Sequence, residues 1–144
     1  MTSKIILDTG PLVALIDKGD QFHPWAVRIW QTLTPPLLTC EAVIVESCFL
    51  LRKTPGGTEA VISLLTSAVI SIPFQLAPDI TLIGELMQRY QSIPMSLADA
   101  CLVRMSELTP GSYLLTMDSD FYVYRQNRHQ LINLIIPENH PNVQ

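Results

Sequence analysis

Residues 4–17 read KIILDTGPLVALID, and their grammar decides the fold. Residues 4–7 are a short apolar run that Asp8-Thr9-Gly10-Pro11 closes. Glycine permits a tight turn, and proline suits the first position of the helix PLVALID. The stretch therefore reads strand, turn, helix. Working outward, residues 22–33 place Phe22, Trp25, Ala26, Ile29, Trp30 and Leu33 at three- and four-residue spacing, and Thr34-Pro35-Pro36 ends the pattern. Leu37-Leu38 predicts a short buried strand, followed by a helix over 41–52 and the breaker Thr54-Pro55-Gly56-Gly57. Helices are expected at 58–67, 79–90 and 96–107, with a short one at 120–127. Strands are expected at 69–74, 112–116 and 131–136, ahead of a Pro-rich polar tail. Such alternation favours parallel strands joined by helical crossovers. The fold class expected is α/β, a three-layer α/β/α arrangement around a central, mainly parallel sheet of four or five strands.

At 144 residues the chain fits a single domain, 1–144, with a loose tail from about 137. Hydrophobic residues make up 48% and charged residues 15%, and the mean hydropathy is +0.28, which excludes a disordered chain. Asp8, Asp17, Arg52, Asp79, Glu85 and Arg104 interrupt every apolar run before it reaches the roughly 18–20 residues a membrane span needs. No membrane association is expected, and with no secretory h-region before Asp8 the expected location is cytoplasmic. Cys40, Cys48 and Cys101 are odd in number and lack CxxC spacing, so neither a disulfide nor zinc is indicated.

In an open parallel sheet, ligands collect beyond the carboxyl ends of the strands, so the residues placed there matter most. Asp8 follows IIL and Asp118 follows LLTM, which puts both at that edge. Each has a simpler reading, Asp8 as a turn residue or helix cap, Asp118 or Asp120 as the cap of the next helix. Glu46 shares a helix face with Ala42, Val45, Phe49 and Leu50, the stripe expected to face the sheet. A carboxylate there costs several kcal/mol unless compensated. Its simpler reading is an end-of-stripe residue reaching water. Glu41, in the first turn, suits the helix dipole. Asp99 completes Ser96-Leu97-Ala98-Asp99, a capping box that also points a first-turn acid toward the strand ends.

Four acids converging in this way repel one another and require a cation. Carboxylates without His or Cys nearby make a hard oxygen site, suited to Mg2+ or Mn2+ rather than zinc. His23, His129 and His140 fall in polar contexts, and no Ser-His-Asp set, P-loop or GxGxxG is visible. The net charge of −4 argues against a general nucleic-acid binder, but setting four acids aside leaves nine against nine, a neutral body around an acidic pocket.

IILDTGPLVALID, TCEAVIVESCFLL, MSLADACLV and LLTMDSDF, in that order and over nearly the whole chain, resemble the four acidic motifs of PIN-domain ribonucleases. The length is most similar to the VapC-type toxins of toxin–antitoxin pairs. The resemblance implies that Asp8, Glu46, Asp99 and Asp118 are the catalytic, metal-binding quartet, with Asp120 an outer metal ligand and Thr116 a hydroxyl contact beside it. Thr9 would shape the first turn. The activity implied is metal-dependent hydrolysis of RNA, leaving a 5′ phosphate and a 3′ hydroxyl. The partners implied are an RNA substrate, a cognate antitoxin protein covering the acidic cleft, and a second copy in a homodimer. Phe22, Trp25, Trp30 and Phe49 are more aromatic surface than a small core consumes and could serve such contacts, with core packing the simpler reading of each. Ser96 stands where several relatives carry an acid.

Among scattered cations, Arg125 and Arg128, just after the fourth motif, are the candidates for phosphate contacts. A haloacid-type phosphatase would need Asp-x-Asp after the first strand, and here Asp118-Ser119-Asp120 comes late. A receiver domain would need an early acid pair and a lysine after the last strand, and Lys4, Lys18 and Lys53 are misplaced for that. The remaining alternative is a non-catalytic domain of the same fold that binds RNA or protein.

Overall fold

The computed structural model describes residues 3–138. Its centre is a five-stranded sheet, built from β1 (Ile5–Leu7), β2 (Leu37–Leu38), β3 (Ile70–Ser71), β4 (Tyr113–Leu115) and β7 (Leu134–Ile135). The order is β3-β2-β1-β4-β7 and every pairing is parallel. β1 lies in the middle, with Ile5, Ile6 and Leu7 opposite Tyr113, Leu114 and Leu115. The helices are α1 (Thr9–Ile16), α2 (His23–Gln31), α3 (Glu41–Leu50), α4 (Gly57–Thr66), α5 (Ile80–Arg89) and α6 (Leu97–Leu108). This is the three-layer α/β/α architecture the alternation predicts.

Side chains alternate across a pleated strand, so adjacent residues of β1 supply two different cores. Ile6, Leu38 and Leu114 face a cluster completed by Ile83 and Leu86 of α5, Ala100 to Val103 of α6, Phe121 and Tyr124. Ile5, Leu7, Leu37, Ile70 and Leu115 face the other, with Leu12 of α1, Trp25, Ile29 and Trp30 of α2, and Leu64 and Leu65 of α4. Helix α3 touches α1, α4 and α6, so it joins the two layers.

Two expectations need correction. The helix expected over 120–127 is a single 3-10 turn at Ser119–Tyr122, followed by a small antiparallel hairpin, β5 (Arg125–Gln126) with β6 (Gln130–Leu131). Asn127 and Arg128 take φ of 49° and 70° in its turn, a conformation that no helix continues. The strand expected over 131–136 is accordingly split between β6 and β7. Most of the expected tail, residues 139–144 with His140, lies outside the described residues. Among those described, no helix is long and apolar enough to cross a membrane.

Candidate active site

The register of the two central strands builds the site. Leu7 pairs with Leu115, and the Asp8 N–H extends the ladder by donating to the Leu115 carbonyl at 3.0 Å. Asp8 and Thr116 therefore stand side by side just past the strand ends. The Thr116 hydroxyl donates to Asp8 Oδ2 at 2.7 Å and accepts from the Asp118 N–H at 3.0 Å, tying the first and fourth motifs together. Asp8 also caps α1, with Oδ1 accepting from the Thr9 N–H at 2.7 Å. Gly10 follows because space is short, since a Cβ there would meet Met117 Cβ and Sδ at 3.3 Å.

Asp99 sits in the first turn of α6, in the capping box expected from sequence. Its N–H donates to Ser96 Oγ at 3.0 Å, and its Oδ2 accepts from the Ser96 N–H at 3.1 Å. Asp118 Oδ1 accepts from the Asp120 N–H at 2.9 Å and opens the 3-10 turn. For these three acids, the capping role and the cleft position coexist.

Glu46 departs from expectation. The buried seam of α3 runs through Val43 and Ser47 and on to Leu51, whereas Val45, Phe49 and Leu50 are exposed, Phe49 by 59%. The helix is apolar nearly all round, and the α1–α6 wedge selects the face carrying the small Ser47. Glu46 is therefore exposed at a rim instead of buried against the sheet, and the expected desolvation cost does not arise.

One cleft of about 480 Å3 is lined by Asp8, Thr9, Gly10, Glu46, Leu50, Ser96, Asp99, Met117 and Asp118. All four acids of the expected quartet reach it, and it carries no cationic side chain. Asp120 is half-buried alongside but not in the lining. Burial raises the Asp8 carboxyl to about 7 against the pull of its Thr116 and Thr9 hydrogen bonds, with a further push from the charges of Asp99 and Asp118. Burial, then the charges of Asp118 and Glu46, also raise Asp99, although its bonds to Ser96 oppose the rise. Burial and the Asp118 charge raise Asp120.

The donor set is carboxylate and hydroxyl oxygen, which fits Mg2+ or Mn2+ in kind. Thr9 adds a buried hydroxyl without a hydrogen-bond partner at the lining. Among the described residues, no three acids are drawn together as a ready-made cage.

Neither expected arginine lines this cleft. Arg125 Nη1 is spent on the carbonyls of Tyr122, Val123 and Tyr124, and Arg128 lines a separate hollow with Leu82, Glu85, Arg89 and Glu107. Of the three histidines, His23 bonds the Ala14 carbonyl through Nδ1, and His129 is exposed. The three cysteines are free. Sequence reasoning missed Tyr124, wholly buried behind the site. Burial and the field of Asp99, Asp120 and Asp118 push its phenol upward, so it stays protonated. Only its place after the fourth motif signalled it.

Comparison with known proteins agrees with the fold. The family model for the PIN domain matches residues 5–127. Among solved structures, VapC20 of Mycobacterium tuberculosis, described as a sarcin–ricin loop cleaving toxin, superposes with a TM-score of 0.75. The two are 24% identical, over 83% of this chain and 94% of that one. A search of curated proteins found no match.

Proposed function

This chain belongs to the PIN-domain family, and from that premise we propose that it is a metal-dependent endoribonuclease, the toxin of a toxin–antitoxin pair. The observation that carries the reading is the convergence of acids from all four motifs on one cleft that has no cation of its own. Asp8, Glu46, Asp99 and Asp118 would hold Mg2+ or Mn2+, with Asp120 outside them. Bound there, such an ion would supply an activated water and offset charge on the attacked phosphate. The chain's own part is positioning. Thr116 and Thr9 fix the Asp8 carboxylate, Ser96 fixes Asp99, and the Asp120 N–H fixes Asp118. The products are a 5′ phosphate and a 3′ hydroxyl. Arg125 and Arg128, expected from sequence to contact phosphate, lie outside the cleft and are not assigned to the scissile bond.

The chain works in the cytoplasm as a homodimer held by a cognate antitoxin. Exposed apolar side chains such as Ile80, Leu82 and Leu131 support contact with protein partners. A sarcin–ricin loop fragment is the first substrate to try, because the structurally similar toxin is described as cutting it. With Mn2+ the purified chain is expected to cut such RNA, and with EDTA to stop. Asp8→Asn, Glu46→Gln and Asp99→Asn should each lose cleavage; normal cutting by all three would remove the site.

The second reading, a non-catalytic PIN-fold domain binding RNA or protein, draws on two observations. Asp8, Asp99 and Asp118 all serve as caps, and among the described residues no three acids form a ready-made cage. RNA binding without cleavage in any divalent metal would favour it.

A further inference from the structure

The cleft presents an unsolved problem for a polyanion, since its lining holds four acids and no cation. Affinity for RNA must come in part from its rim. Arg104 is engaged by Asp79 and Glu107, Arg125 by three carbonyls, and Arg128 faces another hollow. Arg52, just beyond the C-terminus of α3, is exposed and has no carboxylate partner among the described residues. Its guanidinium lies over the Phe49 ring, 4.0 Å from the centroid, and Nη1 donates to the Phe49 carbonyl at 2.8 Å. The cation is thus held against an aromatic ring that is itself 59% exposed.

Position gives this pair its meaning. Phe49 is three residues from Glu46 on one helix, a spacing that puts Cβ atoms about 5–6 Å apart. Leu50, the next residue, lines the acidic cleft. An exposed ring backed by arginine, one turn from Glu46 and beside a residue of the cleft lining, has the chemistry of a single-strand platform. The ring stacks a base of any sequence, and the guanidinium meets the backbone phosphate. We infer that Phe49 and Arg52 form a base-stacking and phosphate-binding subsite for single-stranded RNA at the mouth of the acidic cleft. It holds a nucleotide next to the scissile bond. The subsite rests on the ribonuclease reading above, and it makes Phe49 and Arg52 substrate-positioning residues.

The test uses a fluorescein-labelled single-stranded RNA oligonucleotide. Binding is read by anisotropy with Ca2+ in place of Mg2+ to hold off cleavage, and KM by cleavage with Mg2+, both without any change to the four acids. Phe49→Ala and Arg52→Ala should each raise Kd and KM about tenfold, the loss of roughly one stacking or phosphate contact. Phe49→Trp should restore the native Kd, and Ile62→Ala, equally apolar and exposed on α4, should leave it unchanged. Because Phe49 is outside both cores, its replacement spares the fold. Native Kd and KM in Phe49→Ala and Arg52→Ala would overturn the subsite. So would an equal loss in Ile62→Ala, or a change in particle mass by light scattering with Kd unmoved, which marks a protein interface instead. RNA bound but never cut by the native chain would defeat the ribonuclease reading while the Kd shifts still judge the platform. No RNA binding at all would defeat both.

Discussion

Asp8 carries the clearest electrostatic signature in the chain. Its carboxyl, raised from 3.8 to about 7, holds a proton in the folded state that the unfolded chain releases. Native protein therefore binds more protons than unfolded between about pH 4 and 7, and in that window the metal-free chain loses stability as pH rises. Thermal melts in EDTA should show the decline, and Asp8→Asn should flatten it and raise Tm, or leave it unchanged, at pH 8. Divalent ions need the deprotonated carboxylate, so Mn2+ affinity should climb as pH approaches about 7. Calorimetric titration at several pH values would measure that trend. Thr116→Val keeps the shape but removes a hydroxyl that serves both Asp8 and the Asp118 N–H. It should cost about 1–3 kcal/mol by denaturant unfolding. It should also move the Asp8 titration higher, since the Thr116 bond is the larger of the two that lower it.

At the scale of elements, legibility followed chemistry with a local cause. The strand–turn–helix start and the Ser96–Asp99 capping box were readable because turn and cap residues act within a few positions of themselves. The seam of α3 was not, because Ala42, Val43, Ile44 and Val45 leave almost no polar face to orient the helix. Only packing against α1 and α6 chooses Val43 and Ser47 over Val45 and Phe49. Two adjacent leucines test that choice. Leu51→Ala, fully buried, should cost about 2–5 kcal/mol, whereas Leu50→Ala, half exposed, should stay within about 0.5 kcal/mol in the same unfolding experiment. The β5–β6 hairpin escaped for a related reason. Asn127-Arg128 is a weak turn signal, and a residue such as arginine at positive φ is rarely foreseeable.

For the molecule as a whole, the placement of Asp8, Asp99 and Asp118 was foreseeable because one rule, ligands beyond parallel strand ends, governs the entire sheet. Glu46 reaches the same cleft from a helix whose orientation that rule does not set. The folded assembly of acids also predicts a linkage. Saturating Mn2+ should raise the Tm of the native chain and leave Asp8→Asn and Asp99→Asn nearly unmoved. Equal shifts in all three would place the ion elsewhere.

The sheet ends at β3 on one side and β7 on the other, each a strand of two residues. A foreign strand laid against either border would find only a couple of backbone partners, too few to hold it. This brevity guards a chain of positive mean hydropathy from the edge-to-edge stacking that leads to fibres.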